Sequence, residues 1–490
     1  MNGLLKSLQT NDSLTANGMV TNSTSLDANL DMFFLAGASR TMSERDIIAI
    51  FSKARAENPL SAMKVLFWSR DIRGGAGERK FFNIIIKYLA THYPEYLFNT
   101  ENFKLIPEFG TWKEIISLIA YDKFADKVYA FIKAGLENKD TQSLVAKWLP
   151  RKGPEAAMIR KGIGMSPKEY RKTIVALSNV VESKMADKDY SAIEYSKIPS
   201  KAFNKYRKAF ERNDPERFRA FLESVKKGDE KINAGSIFPH VLYKQMREDS
   251  MWGSFSVRNM ASEVEKDAIV EQWNSLPNYL EGNDERILPV CDVSGSMTTT
   301  IDNSGTMALD ISVSFGLYFS ERLEGPFKDA FITFSDRPEL NYLKGGLFEK
   351  LTQLSSAAWG MSTNLEATFK LLLDKAKAGN VAENEMPTKI LIFSDMQFNA
   401  CVRNPESGAS KMIKDMYAEA GYKVPNVIFW NLKGKIGNVP AQANSKNVAL
   451  LSGFSPASVK GVLGGEVLTP AEVMLNVINS ERYSLVSIPK

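Results

Sequence analysis

The stretch Ile287-Leu-Pro-Val-Cys-Asp-Val-Ser-Gly-Ser-Met297 decides the fold of the C-terminal part of this chain. Its apolar, strand-forming residues end abruptly at Asp292-x-Ser294-x-Ser296, and an amphipathic helix pattern follows. This order predicts one carboxylate and two hydroxyls in the loop at the carboxyl end of a strand, where ligands bind in open α/β sheets. Their hard oxygens are the donor set that suits Mg²⁺ or Mn²⁺.

Two later segments supply further oxygen donors. Trp359-Gly-Met-Ser-Thr-Asn-Leu365 is a polar turn that contains Thr363 and leads into a helix pattern. Lys389-Ile-Leu-Ile-Phe-Ser-Asp395 is a second buried type of strand, and it ends in an acidic residue. From Ile287 onward, strand and helix patterns alternate, which predicts a doubly wound parallel sheet with helices on both faces. A short edge strand is expected over residues 340–343.

The sequence of Asp-x-Ser-x-Ser, then Thr, then a strand-terminal Asp is the signature of the metal-ion-dependent adhesion site. Residues 287–490 therefore resemble a von Willebrand factor type A domain. The resemblance implies that the metal is held by Asp292, Ser294, Ser296, Thr363 and Asp395. It also implies that one coordination position stays open for an oxygen from outside. The alternative is that the serines only cap a helix and the aspartates only close turns.

Composition restricts the class of protein. The 490 residues are 44% hydrophobic and 24% charged, which is typical of a globular protein of two or three domains. No apolar run reaches the length of a membrane span, and the two cysteines exclude a disulfide framework, so we expect a cytoplasmic protein, in the host cytoplasm if a phage encodes it. Two histidines and the absence of a P-loop pattern argue against zinc and nucleotide-hydrolysing sites.

The first part of the chain reads as helical. Residues 1–30, rich in Asn, Ser and Thr, are predicted to form a flexible arm. Residues 31–276 show helical spacing with almost no period-two alternation, which predicts an α-helical, HEAT-like solenoid. Residues 277–286 read as a linker to the domain over 287–490. The fold class is therefore multidomain, α and α/β.

A glycine-rich loop, Asp71-Ile-Arg-Gly-Gly-Ala-Gly-Glu-Arg79, interrupts this helical region. It follows a helix rather than a strand, so it is not a dinucleotide-binding fingerprint. Its glycines and arginines could cradle a phosphate at the start of the next helix. The alternative is a plain turn between helices, with arginines solvated or paired to Asp71 and Glu78.

Cations are concentrated in the middle of the chain. Residues 151–231 carry 20 Lys and Arg against 12 Asp and Glu. Aromatic residues alternate with these cations, a combination that binds the phosphates and bases of single-stranded nucleic acid. Solvated helix faces are the alternative. The candidate nucleic-acid contacts are Arg73, Arg79, Lys147, Arg151, Lys152, Arg160, Lys161, Lys168, Arg171, Lys172, Lys205, Arg207 and Lys208.

A helical region with basic patches before a type A domain resembles the Ro autoantigen (TROVE) ribonucleoproteins, and still more a related uncharacterised family of phages and plants. The local likenesses are Arg70–Arg79, Ala146–Pro150, Lys231–Ala234, Asp292–Met297 and Phe393–Phe398. Resemblance to Ro implies a helical ring, closed by the type A domain, that binds small structured RNA or single-stranded RNA ends.

These features predict a non-enzymatic, Ro-type RNA-binding scaffold whose Mg²⁺-binding domain closes the ring or docks a partner. The alternative is a protein-interaction or structural module that captures an acidic partner residue through the metal, without nucleic acid. A metal-dependent nuclease or phosphatase would need further acidic ligands. Asp302 and Asp310 are the nominees, and neither is expected to reach the ion.

Overall fold

The structure is a computed structural model that describes residues 11–249, 255–334, 337–355, 362–402, 404, 406–464 and 468–490. Its helices are Ala28–Ala36 (α1), Glu44–Glu57 (α2), Pro59–Arg70 (α3), Lys80–His92 (α4), Glu95–Phe98 (α5), Asn102–Phe109 (α6), Trp112–Ser117 (α7), Asp122–Glu137 (α8), Gln142–Trp148 (α9), Gly153–Gly162 (α10), Pro167–Leu177 (α11), Val181–Ala186 (α12), Ser200–Asn213 (α13), Pro215–Lys227 (α14), Pro239–Met246 (α15), Glu263–Asn274 (α16), Ala308–Arg322 (α17), Leu347–Ser355 (α18), Leu365–Ala378 (α19), Ala409–Ala420 (α20) and Pro470–Ile478 (α21).

The strands are Ser13–Leu14 (β1), Val20–Thr21 (β2), Arg247–Asp249 (β3), Phe255–Val257 (β4), Ile287–Asp292 (β5), Ala330–Phe334 (β6), Glu339–Tyr342 (β7), Lys389–Ser394 (β8), Asn426–Asn431 (β9) and Val448–Ser452 (β10). Six of them form one sheet in the order β10-β9-β8-β5-β6-β7. All neighbours in it are parallel except β6 and the edge strand β7. The expected mixture of a helical region and a C-terminal, mostly parallel sheet is confirmed.

The chain divides into two compact units. One, here called the sheet unit, comprises residues 1–81, 237–260 and 276–484. The other, called the helical unit, comprises residues 82–236, 261–275 and 485–490. The predicted continuous helical domain over residues 31–276 is therefore corrected, because residues 31–81 and 237–260 belong to the sheet unit. In the described part of the chain, no helix is both long and apolar enough to cross a membrane.

Helix α1 explains why the first residues join the sheet unit. Asp27 caps the helix, and nearly every residue from Asn29 to Ala36 is buried. A short helix that is apolar all round needs cover on all sides. Part of the helix packs against β10. There, Ser452 Oγ donates to Phe33 O at 2.7 Å and accepts from Gly37 N at 3.1 Å.

Residues 11–30 are held in place rather than free. β1 and β2 form an antiparallel pair, and Thr15, Met19 and Thr21 are buried. The predicted flexible arm over residues 1–30 is thus wrong for residues 11–30, because their amides and hydroxyls bond to the sheet unit. Residues 1–10 lie outside the described part. Polar composition alone did not reveal these long-range bonds.

The sheet unit has an aromatic core. Phe319 of α17 stacks on Phe393 of β8 with ring centroids 5.6 Å apart, and Trp430 of β9 contacts both rings. These rings fix the position of β8 relative to its neighbours. Strands β5, β8, β9 and β10 are buried along their full length, as expected for parallel strands covered on both faces.

The helical unit contains two short helices, α11 and α12, over residues 167–186, since Ser178 leaves the helical conformation at the end of α11. The Ser178 side chain does not cap this end, because its buried Oγ has no hydrogen-bond partner among the described residues. Helix α10 begins with Gly153 and Pro154 in its first turn, where proline is well tolerated.

The glycine-rich loop between α3 and α4 is closed by its own backbone. The N–H groups of Gly75 and Gly77 both donate to Asp71 O, and Ala76 N donates to Trp68 O. The Asp71 carboxylate is buried and receives Arg482 Nη2 at 2.7 Å and Tyr483 Oη at 3.1 Å. Because these amides already have acceptors, the backbone bonds favour a plain turn between helices over a phosphate cradle.

This close packing generates a stability prediction. A Cβ at Gly75 would lie 2.0 Å from Trp68 O, whereas a Cβ at Gly235 would have nothing within 4 Å. We expect Gly75→Ala to lower the free energy of unfolding by about 1–3 kcal/mol or more, as overpacking does. Denaturant unfolding monitored by circular dichroism should show this loss, with Gly235→Ala close to wild type. Equal stability of the two variants would contradict the described turn.

Candidate metal centre

The parallel pairing of β5 with β8 brings the two predicted aspartates to the same sheet edge. Cys291 pairs with Phe393, so Asp292 and Ser394 are neighbours at the strand ends. Ser394 Oγ donates to Asp292 Oδ2 at 2.5 Å. Asp395 follows directly, and both carboxylates are almost completely buried.

The loop after β5 is shaped by the first aspartate. Ser294 N donates to Asp292 Oδ1 at 2.9 Å, and a 3₁₀ turn over Gly295–Thr298 follows. Ser294 Oγ and Ser296 Oγ then lie 3.2 Å apart. Ser294 is buried and Ser296 is half-buried. Two serine oxygens are therefore neighbours beside the carboxylates, with Ser296 nearer to solvent.

Thr363 is held next to the loop that follows β8. Asn399 N donates to Thr363 O at 2.9 Å, and Gln397 N donates to Asp395 Oδ1 at 3.3 Å. The Thr363 side chain is 1% exposed, and its Oγ1 has no hydrogen-bond partner among the described residues. An unsatisfied buried hydroxyl is costly, and this oxygen could therefore serve as a ligand, since the described residues give it no partner. Trp359, Gly360 and Met361 lie outside the described part.

Burial and mutual repulsion perturb the two carboxyls. Burial and the neighbouring Asp395 raise the pKa of Asp292 to about 7. Burial also raises the pKa of Asp395, against hydrogen bonding from Ser296 and the positive charge of Lys433. Lys433 Nζ donates to Thr299 Oγ1 at 2.6 Å, at the exposed end of the same loop. The fold thus buries two carboxyls whose ionised forms a bound cation would stabilise.

The donor set fits a hard divalent cation. It consists of two carboxylates and three neutral hydroxyls, which are oxygen ligands of the kind that Mg²⁺ and Mn²⁺ prefer. Among the described residues, no group of three or more His, Cys, Asp or Glu is placed to hold a metal. The candidate centre differs from such acidic clusters, because three of its five ligands are hydroxyls. Both nominees for extra acidic ligands are engaged elsewhere, Asp310 with Arg247 and Asp302 with Arg40.

Sequence reasoning missed Ser394 and the residues that hold the loop after β8. Ser394 directly precedes Asp395 in the strand, and its hydroxyl bonds Asp292 while accepting from Met396 N at 2.9 Å. Its place at the end of a buried strand was a usable signal. Asn399 gave no local signal, because its contact with Thr363 joins two separate loops. Cys291 and Cys401 are both free and buried.

The candidate nucleic-acid contacts do not form one surface patch within either unit. Arg73 and Arg79 are exposed and belong to the sheet unit, whereas the others belong to the helical unit. Arg207 is only 7% exposed, and its Nη2 lies 3.4 Å from Glu265 Oε1. Its proposed RNA contact is therefore corrected to an internal ion pair. Lys208 shares the same carboxylate at 3.0 Å, and Lys147 lies 3.7 Å from Glu182.

The remaining cations on α10, α11 and the segment before them form what we call the basic helix pair. Arg160 is half-buried and the others are exposed. Within the part of the chain that the structure describes, none of them forms an ion pair with a carboxylate. The members are Arg151, Lys152, Arg160, Lys161, Lys168, Arg171 and Lys172. Lys205 lies apart from them on α13, over the ring of Tyr206.

Comparisons with known proteins divide the chain at the start of the sheet. Residues 15–148 and 165–283 match the family described as Domain of unknown function (DUF2828). Residues 286–484 match the family described as Domain of unknown function (DUF7788). An uncharacterized protein of Acanthamoeba polyphaga mimivirus is 29% identical over 98% of this chain and 91% of its own length. These descriptions assign no activity.

The raised pKa of Asp292 predicts a pH dependence of stability. A carboxyl that titrates at about 7 in the folded protein, against 3.8 ordinarily, binds a proton that the unfolded chain has already released. The free energy of unfolding of metal-free protein should therefore fall as pH rises through this range. Denaturant unfolding at several pH values should show a smaller fall in Asp292→Asn.

Asp302 supplies the matched control for this titration. Although burial opposes it, hydrogen bonds from Ser304 and Thr306 hold the pKa of Asp302 at about 2. Asp302→Asn should therefore leave the pH dependence of the free energy of unfolding unchanged between the ordinary pKa of Asp292 and its raised pKa in the folded protein. The assignment to Asp292 would be wrong if both variants altered that slope equally.

Proposed function

The chain belongs to the family described as Domain of unknown function (DUF2828), and from that premise we propose that it is a non-enzymatic, metal-dependent binding protein. Its sheet unit would hold Mg²⁺ or Mn²⁺ through Asp292, Ser294, Ser296, Thr363 and Asp395. The observation that carries this proposal is the buried Thr363 Oγ1, which has no partner among the described residues and is held by the same loop as the Asp395 carboxyl.

The bound cation would supply a positive charge and an open position for an oxygen of a partner. The two aspartates bring two negative charges, and the three hydroxyls add none. The open coordination position of the ion would therefore accept an oxygen of an outside carboxylate or phosphate. Ser296 is the half-buried member of the set, so a partner would approach the ion from its side. Lys433, close to the exposed Thr299, would help to attract an anionic group.

The fold that best accommodates this centre is the von Willebrand factor type A domain. In support, the donors lie at the carboxyl ends of β5 and β8, in a parallel sheet with one antiparallel edge strand. For the helical unit we infer a HEAT-like solenoid of the kind found in Ro-type proteins. Its support is the succession of short helices from α5 to α14.

A test of the metal site follows from Thr363. Replacement of Thr363 by Val removes Oγ1 at nearly constant shape. Because that hydroxyl has no partner among the described residues, we expect Thr363→Val to be as stable as wild type, or about 1 kcal/mol more stable, without metal. Its affinity for Mn²⁺ should nevertheless fall by roughly tenfold or more. Electron paramagnetic resonance of free Mn²⁺ during titration measures the affinity, and thermal unfolding in EDTA measures the stability.

Thr368→Val is the matched control, since Thr368 is also buried but its hydroxyl donates to Asn364 O at 3.2 Å. This variant should lose some stability and keep its Mn²⁺ affinity. If wild-type protein bound no Mn²⁺, or if Thr363→Val bound it as tightly as wild type, the proposed centre would be refuted.

RNA is the second candidate ligand, and the basic helix pair is the observation that favours it. Its cations have no carboxylate partners among the described residues, so they are available for phosphates. The family match to residues 15–148 and 165–283 leaves out residues 149–164, which include Arg151, Lys152, Arg160 and Lys161. RNA binding through these positions would then be a property of this chain rather than of the whole family.

Charge reversal tests the RNA surface. The triple change Lys152→Glu, Lys161→Glu and Arg171→Glu should weaken binding of single-stranded RNA and reduce the steepness of its salt dependence by about 2, at roughly 0.7 per lost phosphate contact. Fluorescence anisotropy across a salt series measures both quantities. Lys328→Glu, Lys423→Glu and Lys435→Glu, at exposed positions of the sheet unit, change the net charge equally and should act much less. Equal effects of the two triples would point to net charge alone.

A further inference from the structure

The first described residues contact the loop that carries the second aspartate of the candidate centre. Thr15 Oγ1 donates to Phe398 O at 2.6 Å. Ala16 N donates to Gln397 Oε1 at 2.8 Å, and Asn17 Nδ2 donates to Gln397 O at 2.6 Å. Ala400 N in turn donates to Asn17 O at 3.0 Å. Residues 15–17 therefore bond this loop through side chains and backbone together.

This loop joins two members of the donor set. Gln397 N donates to Asp395 Oδ1, and Asn399 N donates to Thr363 O. Gly18 forms an isolated bridge with Asn399 itself. The residue that positions Thr363 is thus held from its other side by the N-terminal segment.

A second set of contacts braces the start of the loop. Asn22 and Val439 exchange backbone hydrogen bonds of 3.1 and 2.9 Å, and Thr21 Oγ1 donates to Val439 O. The neighbouring Asn438 Nδ2 donates to Met396 O at 2.8 Å. Met396 has a φ of +61°, a left-handed conformation that costs a non-glycine residue free energy. Such a conformation persists only when surrounding contacts impose it.

We propose that residues 13–22, here called the N-terminal clamp, position Thr363 and Asp395 for cation binding. This inference rests on the proposed metal site and adds to it a positioning element about 380 residues away in the sequence. The clamp supplies no ligand. It holds the loop over residues 395–400 in the one conformation that points both donors toward the cation, so anything that releases the clamp lowers the metal affinity.

Thr15→Val with Asn17→Ala tests the clamp, because the two changes remove both side-chain bonds to the loop. The Mn²⁺ affinity of this double variant should fall about tenfold, since two lost hydrogen bonds are together worth enough to explain that factor. Asp12→Ala with Ser23→Ala is the matched control. It breaks an exposed pair of hydrogen bonds between the two residues that flank the clamp, and its affinity should stay within about twofold of wild type.

A role of the clamp in stability alone predicts different results. It would lower the unfolding temperature in EDTA and leave the Mn²⁺ affinity of the folded protein unchanged, which would overturn the clamp. If wild-type protein bound no Mn²⁺, the metal site itself would fail. If wild type bound Mn²⁺ and the double variant bound it equally well, the clamp alone would fail.

Wild-type protein offers a test that needs no variant. Coupling between two sites is reciprocal, so Mn²⁺ must stabilise the docked clamp as much as the docked clamp stabilises Mn²⁺ binding. Hydrogen exchange at peptides covering residues 11–25, which include the bonded amides of Ala16 and Asn22, should be slower with Mn²⁺ than with EDTA. Unchanged exchange in that segment, in protein saturated with Mn²⁺, would overturn the inference.

Discussion

The candidate centre depends on one constraint, the register of β8 against β5. Pairing of Cys291 with Phe393 makes Ser394 the neighbour of Asp292 and leaves Asp395 in the loop beyond. A slip of one residue would turn every side chain of β8 to the opposite face. The packed rings of Phe319, Phe393 and Trp430 oppose such a slip, since it would remove Phe393 from the aromatic core. The apolar interior therefore determines the geometry of the polar site.

That geometry lowers the stability of the metal-free protein. Two carboxyls are buried side by side, and burial of unpaired charge is strongly unfavourable. The fold offsets part of the cost with N–H and O–H donors from Ser294, Ser394 and Gln397. Among the described residues, Thr363 Oγ1 has no hydrogen-bond partner. Unfavourable burial of this kind is typical of a functional site. A divalent cation would neutralise the buried carboxylates and would give the Thr363 hydroxyl oxygen a partner.

Local patterns predicted the strands that carry the centre, because β5 and β8 are continuous apolar runs ending in polar loops. The order of the donor residues was also visible in the sequence. Arg207 was misread, although the spacing held the answer: Phe203, Arg207 and Phe210 share the buried face of α13. A cation at that position of an amphipathic helix needs an internal partner, and Glu265 of α16 provides it.

The association of residues 11–81 with the sheet could not be predicted from local pattern. It rests on bonds such as Ser452 to Phe33 and Asn17 to Gln397, whose partners lie hundreds of residues apart. The cost of closing such a large loop grows only slowly with its length, so a domain the size of the helical unit can be inserted between the partners at modest cost. Under the proposed role of residues 13–22, the candidate metal centre would be complete only after this segment docks on the loops that follow β8 and β9.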